Sequence, residues 1–159
     1  MKRLPLLIVG AVAASTVALM LAVTGSAQPQ GRVIHVFEHE VQATYSDHPP
    51  KKKQSQGDEL AFRGKLFETR TSKKQIGSSG GSCVFLLATR HKSNATCTRV
   101  TFLSEGKITV VGGVWFRPEL QTFHLPIVGG TGAYNGAEGT LVIEQHRGGH
   151  NELTFNLKP

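Results

Sequence analysis

The residues with the most direct catalytic precedent form the stretch His35-Val36-Phe37-Glu38-His39, which matches the zinc-binding pattern H-x-x-E-H. In zinc enzymes this pattern lies on a helix, because residues four apart then share one face and can bind one ion. Here β-branched and aromatic residues surround the pattern, which favours a strand. In a strand, residues four apart are about 13 Å from each other, at about 3.3 Å per residue. The sequence therefore predicts no zinc site and no other metal site.

Glu38 is a candidate acid or base, and its role depends on which face of the strand it occupies. Alternation places Ile34 and Glu38 on one face and His35 and His39 on the other. If the Glu38 face points into an apolar interior, burial raises the pKa of the carboxyl group and makes it useful for proton transfer. If that face points outward, Glu38 is an ordinary solvated side chain. The residues alone leave both orientations open.

Two further histidines, His146 and His150, flank the dipeptide Gly148-Gly149, which predicts a tight hairpin. In a two-residue hairpin Arg147 pairs with His150, so the two histidines point to opposite faces. We therefore expect no joint role for them.

The region from Pro126 to Gly139 is rich in glycine and could in principle bind phosphate groups. It lacks the Lys-Ser/Thr of a P-loop, and Asn135 stands where the dinucleotide fingerprint needs its third glycine. Glycine supplies positive φ angles at no steric cost, so the region predicts a tightly folded connection between strands. No cofactor is predicted.

The chain begins with a segment that has the pattern of a secretory signal peptide, residues 1–27. It begins with two basic residues and continues with an uncharged stretch from Leu6 to Val23. The small residues Gly25-Ser26-Ala27 follow. We expect cleavage near Ala27, secretion, and one domain from residue 28 to 159. An apolar stretch of this length is also at the lower limit for spanning a bilayer, so an uncleaved anchor over residues 6–23 is the alternative.

The only two cysteines, Cys83 and Cys97, are expected to form a disulfide in an exported chain. A reactive or buried free thiol is the alternative.

The formal net charge of +7 comes from scattered basic residues with two short clusters, Lys51–Lys53 and Lys73-Lys74. No aromatic residues alternate with these lysines, so the sequence predicts solvated loops rather than a nucleic-acid surface.

Strand-like segments separated by turn residues recur along the remaining chain, and no long segment has a helical period. Eight such segments are predicted, near residues 32–44, 59–70, 81–90, 96–103, 107–117, 121–128, 139–147 and 150–157. Short connections between eight strands favour an all-β fold, an antiparallel β-barrel, because closure removes sheet edges.

Four stretches of the chain carry a family resemblance. They are Gly57–Phe62 with Lys65–Phe67, Ile76–Ser78 with Gly81–Phe85, Glu105–Val110, and Ile127–Gly132 with Gly136, Ala137 and Gly139. In this order they are similar to the plant allene oxide cyclases and, more loosely, to the dirigent proteins. The resemblance implies an eight-stranded antiparallel barrel with an apolar cavity, commonly trimeric.

The resemblance also implies an activity and site residues. The cyclases close a ring in an unstable fatty-acid epoxide, mainly by positioning it. Glu38 corresponds to their glutamate on the first strand and Cys83 to their cysteine on the third, which would place the Glu38 face in the lumen. Ser46, Phe85 and Tyr134 are the expected substrate-binding residues.

The chain departs from these families at several positions. The resemblance also implies a bound water that is held by asparagines, a serine and a proline. Glu40 and Gly64 stand where the cyclases have these asparagines, and Asp47 replaces the proline. Glu138 replaces an arginine of the dirigent glycine motif. We therefore expect a secreted barrel that binds a small apolar molecule, either as a cyclase or isomerase or as a non-catalytic ligand-binding or interaction protein.

Overall fold

A computed structural model describes residues 31–49, 54–89 and 92–159, which form eight antiparallel strands. The strands are β1 (Arg32–Ser46), β2 (Glu59–Phe67), β3 (Gln75–Ala88), β4 (Ser93–Leu103), β5 (Gly106–Phe116), β6 (Thr122–Gly132), β7 (Gly139–His146) and β8 (His150–Leu157). Each strand pairs with the next and β8 pairs with β1, so the sheet is a closed barrel and the predicted fold class is confirmed. The predicted signal peptide and Lys51–Lys53 lie outside the described residues, among which no helix could span a membrane.

The two faces of each strand differ in burial, as alternation requires. In β1, Val36 and Glu38 are buried in the lumen, whereas Val33 and His35 are exposed on the outer face. Every strand contributes apolar side chains to the lumen; the largest fully buried ones are Phe155, Leu66, Ile108, Leu141, Leu153 and Val110. The orientation that the sequence left open is therefore settled, and Glu38 points inward.

Two strands extend further into glycine-rich sequence than predicted. β3 begins at Gln75 rather than near residue 81, and β6 continues to Gly132. The glycines of β3 allow a close approach of β4, since a Cβ atom on Gly81 would lie 2.1 Å from the carbonyl oxygen of Thr98. Low intrinsic strand propensity is thus outweighed by packing between neighbouring strands.

The predicted pairing of the last hairpin is wrong by one residue. The connection contains three residues, Arg147, Gly148 and Gly149, and both glycines have positive φ angles, 82° and 73°. His146 therefore pairs directly with His150, and the two histidines lie on the same outer face. On that face the rings of His150 and His39 lie with centroids 4.4 Å apart.

The seam between β5 and β6 is hydrogen-bonded along only part of its length. Residues Gly106 to Val110 pair with residues Gly132 to Ile127, and no pairing continues between 111–116 and 122–126. Pro126 contributes to this break because proline has no N–H to donate to a ladder. Residues 111–116 of β5 and 122–126 of β6 therefore contact each other through side chains, such as that of Leu125 beside Gly112.

The barrel has two ends, and we call the end that carries the β1–β2, β3–β4, β5–β6 and β7–β8 connections the upper end. There the fully buried carboxylate of Asp58 accepts hydrogen bonds from the Tyr45 hydroxyl, from the His48 backbone N–H at 2.8 Å and from the Ser55 backbone N–H at 2.6 Å. The Tyr45 hydrogen bond is the largest cause that lowers the pKa of Asp58, to about 2. An ionised Asp58 thus fixes the β1–β2 connection at this end.

Candidate functional site

A cavity of about 130 Å³ lies in the upper half of the lumen. Its walls are mostly apolar and come from all eight strands: Glu38, Leu60, Phe62, Arg63, Cys83, Cys97, Arg99, Val114, Phe116, Phe123, Leu125, Ile143, Gln145 and Asn151. Leu60, Phe116 and Phe123 are only partly buried, so the cavity is accessible from the upper end. An apolar cavity of about 150 Å³ holds a benzene molecule, so this one can hold a single ring or a short folded chain.

A buried ion pair forms the polar wall of the cavity. Arg99 of β4 donates from both terminal nitrogens to the two carboxylate oxygens of Glu38, each at 2.9 Å. The side chains of Arg99 and Glu38 are 6% and 2% exposed. The guanidinium group also lies over the ring of Phe62, 5.0 Å from its centroid. This two-point geometry fixes both side chains in one orientation.

Two neutral side chains complete the hydrogen bonding of Glu38. The Ser79 hydroxyl donates to one carboxylate oxygen, and the Asn151 amide donates to the other at 2.8 Å. Gly64 of β2 leaves the space that the carboxylate occupies, since a Cβ atom there would lie 2.7 Å from Glu38 Cγ and Oε1. The departure from the cyclase pattern at position 64 therefore has a local reason: this glycine accommodates Glu38.

The electrostatic balance at Glu38 differs from the one that its burial alone predicts. Burial is the largest single effect and acts to raise the pKa, but the charge of Arg99 and the hydrogen bonds from Arg99, Ser79 and Asn151 together outweigh it. The pKa of Glu38 therefore lies below its usual value. The expectation of a raised pKa was wrong, because it did not include Arg99.

Cys83 and Cys97 form a disulfide, and the predicted pairing is confirmed. They are directly paired residues of β3 and β4, with Cα atoms 4.0 Å apart. Both line the cavity. In this bonded state Cys83 presents sulfur to the lumen but has no thiol proton to transfer.

The remaining residues expected to bind substrate do not line this cavity. Ser46 is exposed at the upper end of β1. Phe85 is buried between Tyr45 and Phe116, beside the mouth of the cavity. Tyr134 is buried at the lower end. Of the site residues predicted from the sequence, the cavity brings together Glu38, Cys83 and Cys97.

Sequence reasoning missed the polar partners of Glu38, although a signal for one of them was available. Cys97 and Arg99 are two positions apart on β4, so an inward cysteine requires an inward arginine. Asn151 likewise alternates with the buried Leu153 on β8. The register that places both side chains against Glu38 depends on the closed barrel.

The H-x-x-E-H pattern lies on β1, as the flanking residues predicted. His35 lies exposed on the outer face, while Glu38 points into the lumen. His35 forms a hydrogen bond with Glu152 at 2.7 Å on that outer face. Within residues 31–49, 54–89 and 92–159, no group of three or more His, Cys, Asp or Glu side chains is arranged to hold a metal ion.

A family model described as the allene oxide cyclase barrel like domain matches residues 37–156, most of the chain. The chain belongs to this family. Membership accounts for the closed barrel. A search of curated proteins finds no match.

Solved structures with the same barrel include enzymes of several kinds. A pyocyanin demethylase is 24% identical, with a TM-score of 0.69, and the match covers 80% of this chain and 100% of that one. AbnU, an exo-specific intermolecular Diels–Alderase, is 15% identical with a TM-score of 0.61, over 80% of this chain and 98% of that one. A nonspecific heme-binding cyclase that catalyses [4 + 2] cycloaddition in neoabyssomicin biosynthesis is 14% identical, with a TM-score of 0.63, over 82% and 69%. At these identities the likeness establishes the barrel fold alone.

Proposed function

We propose that the chain is a cyclase or isomerase that holds a small, apolar, reactive molecule in the upper cavity and constrains it for ring closure or rearrangement. The observation that carries this proposal is the buried Glu38–Arg99 pair on the wall of an otherwise apolar cavity. Burying two charges costs several kcal/mol for each ion before their attraction is counted. A cavity lined by apolar side chains alone would avoid this desolvation cost, so we infer that the pair has a role beyond packing.

That use is a fixed arrangement of hydrogen-bond donors. The guanidinium group has five N–H donors, and its bonds to Glu38 hold it in place without engaging all of them. A substrate oxygen that gains negative charge in the transition state can accept from Arg99, with Glu38 keeping the donor oriented. Since the pKa of Glu38 is lowered, the carboxylate acts as a positioning anion and not as the proton donor.

The other predicted site residues take more limited parts in this proposal. Cys83 contributes sulfur surface to the cavity wall through its disulfide. Ser46 and Phe85 belong to the approach at the upper end, Phe85 by packing against Phe116 at the mouth. Tyr134 supports the lower end, where its hydroxyl donates to Glu105 at 3.0 Å.

The named functions of the structural relatives support the substrate class. Two of them are ring-forming enzymes and one acts on pyocyanin. For this chain we infer a substrate that contains or forms a ring and whose reacting part fits about 130 Å³. No added cofactor is required for a rearrangement that the cavity promotes by positioning.

The test is an assay for conversion without change of mass. The protein is incubated with a panel of linear polyenes that carry a conjugated carbonyl group, and products of unchanged mass are separated by liquid chromatography with mass detection. We expect Glu38→Gln to lower turnover about 100-fold, because Arg99 loses its anionic partner. The matched control is His39→Gln, on the outer face of the same strand, which should leave turnover unchanged. Equal turnover by Glu38→Gln and the parent protein would refute the proposal.

A second candidate function is a non-catalytic barrel that binds a lipid-like ligand. Two observations favour it: Glu38 is fully paired, and Cys83 has no free thiol. Native mass spectrometry separates the two candidates. A retained apolar molecule that is released unchanged after prolonged incubation supports the binding protein, whereas an isomer of that molecule supports the enzyme.

We also propose that residues 1–27 direct secretion and are removed near Ala27. The disulfide is consistent with an oxidising compartment outside the cytoplasm. The intact mass of protein collected from the culture medium tests this, while recovery of the full-length chain in the membrane fraction would identify residues 6–23 as an anchor. Assembly into a trimer remains a prediction, which light scattering of the purified protein tests.

A further inference from the structure

The upper end of the barrel carries most of its exposed large apolar side chains. Among the described residues nine such side chains are exposed, and five of them lie at this end. We call these five the apolar rim: Tyr45, Leu86, Leu87, Trp115 and Leu120. Trp115 is 44% exposed and Leu120 is 56% exposed, although either would be stabilised by burial. Exposed apolar groups concentrated at one place mark an interaction surface.

The apolar rim borders the route into the cavity. Tyr45 lines a second recess at the upper end, together with Phe85, and this recess shares Leu60 and Phe116 with the cavity below it. Trp115 neighbours Phe116 on β5, and Leu120 lies in the β5–β6 connection above the unpaired part of the seam. A partner that covers the rim therefore also meets the cavity mouth.

Among the described residues, the cations Lys92 and Arg117 lie beside the rim. The Lys92 ammonium lies 4.9 Å from the centroid of the Trp115 ring, and both Lys92 and Arg117 line the recess. Glu119 is the acidic residue of the same β5–β6 connection. Exposed tryptophan, tyrosine and leucine beside Lys and Arg is the combination that favours the interface of an anionic bilayer.

We propose that the apolar rim docks on the surface of an anionic lipid bilayer, with the cavity mouth facing the lipid. An apolar ligand can then pass between the bilayer and the lumen without crossing bulk water. A second copy of the chain fits this surface less well. A two-fold contact at the rim would bring two copies of the same patch together, each with the cations Lys92 and Arg117, and their like charges would repel. The inference needs only an apolar ligand and holds whether or not that ligand is converted.

Trp115 is the single tryptophan of the chain, so its fluorescence reports on this surface alone. The full-length protein is mixed with vesicles of phosphatidylcholine and phosphatidylglycerol, and with vesicles that contain brominated phosphatidylcholine. We expect a blue shift of the Trp115 emission and quenching by the brominated lipid, both weaker without phosphatidylglycerol and at high salt. An unchanged Trp115 emission in all vesicles overturns the proposal.

Two matched triple variants assign the effect to the rim. Leu86→Ser/Leu87→Ser/Leu120→Ser changes the rim but keeps Trp115, whereas Val33→Ser/Phe102→Ser/Val128→Ser changes three exposed apolar residues elsewhere on the outer face. Both keep residues 1–30, so binding through that segment is the same in each. We expect about tenfold weaker vesicle partitioning for the rim variant only. Equal loss in both variants overturns the proposal.

Charge reversal provides a variant that leaves the apolar packing intact. Lys92→Glu/Arg117→Glu should remove the preference for phosphatidylglycerol, and an unaltered preference contradicts the proposal.

Sedimentation in the absence of lipid tests whether a second copy of the chain, and not a bilayer, binds to the rim. If the rim variant changes the mass of the particle in solution, the rim is a contact between copies and the bilayer is not its partner.

Discussion

Among the arginine–glutamate pairs of the described residues, the most buried one and one at the lower end lie in opposite environments. In the lumen, Arg99 binds Glu38 and lies over the Phe62 ring at 5.0 Å. At the lower end, Arg32 binds Glu105 and lies over the Tyr134 ring at 5.4 Å. The first pair is almost completely buried, whereas both side chains of the second are 50% exposed.

The difference shows that the environment, and not the pairing itself, decides what an ion pair does. Water can replace either partner of the exposed pair, so that pair contributes little to stability. It joins the start of β1 to the β4–β5 hairpin and, through Tyr134, to the glycine-rich connection. In the lumen both partners are almost completely shielded from solvent, so each ion of the buried pair depends on the other. Only the buried pair has an orientation fixed enough for chemistry.

The largest effect is expected when one ion of the buried pair is removed. Arg99→Met leaves the Glu38 carboxylate buried without a counter-ion and should lower the free energy of unfolding by about 3–5 kcal/mol. Urea denaturation at neutral pH measures this change. The double variant Glu38→Gln/Arg99→Met is the control, and it should recover part of the loss. If the double variant is as unstable as Arg99→Met, packing around position 99 and not the unpaired charge causes the loss.

Acid should reduce the contribution of the buried pair to the free energy of unfolding. The same double variant lacks the pair and therefore shows how much of the acid effect is due to it. Glu38 has a lowered pKa in the folded protein, so its contribution to stability is complete above its ordinary pKa of 4.5 and is lost as the pH falls through the folded value. The Glu38→Gln/Arg99→Met variant lacks this titration. We therefore expect its unfolding free energy to fall less steeply than that of the parent protein below pH 4.5. Parallel curves for the two proteins would contradict this assignment.

An intermediate effect is expected from the space beside Glu38. Gly64→Ala places a Cβ atom 2.7 Å from the Glu38 side chain, which must move out of register with Arg99. We expect a loss of about 1–3 kcal/mol, measured by denaturation. Gly113→Ala is the matched control, because nothing lies within 4 Å of the added atom on β5. Equal stability of the two variants would mean that the carboxylate has room to shift.

The smallest effect is expected at the exposed pair. Glu105→Gln should change the unfolding free energy less than Gly64→Ala does, and raised salt should reduce the difference from the parent protein further. Thermal unfolding at low and high salt measures this. An effect as large as that of Arg99→Met would show that exposure does not distinguish the two pairs.

Much of the fold could be predicted because the sequence carries local signals for it. Eight alternating segments with turn residues between them predicted the strands, and Cys83 with Cys97 predicted the disulfide. The errors concern the bounds of β3 and β6 and the register of the last hairpin. The connection after His146 has three residues instead of two, and local sequence does not distinguish these loops when two glycines are present.

The site was harder to predict because it depends on contacts between distant strands. Glu38 and Arg99 are 61 residues apart, and Glu38 and Asn151 are 113 apart. Resemblance supplied the inward orientation of Glu38 but not its partners, so the predicted direction of its pKa was wrong. For Tyr134 the sequence did not predict even the location, because its place in a glycine-rich motif gives no indication of which end of the barrel it occupies.

The short hydrogen-bond ladder between β5 and β6 also determines which backbone amide protons exchange fastest with solvent. β4 and β5 are joined by eleven residue pairs, but β5 and β6 by only five. Amide protons of residues 111–116 that face β6 have no ladder partner, so deuterium should replace them before those of the neighbouring strands. The disulfide holds β3 to β4. A ligand too large for the cavity would therefore separate β5 from β6, while the other seven strand pairs keep their register.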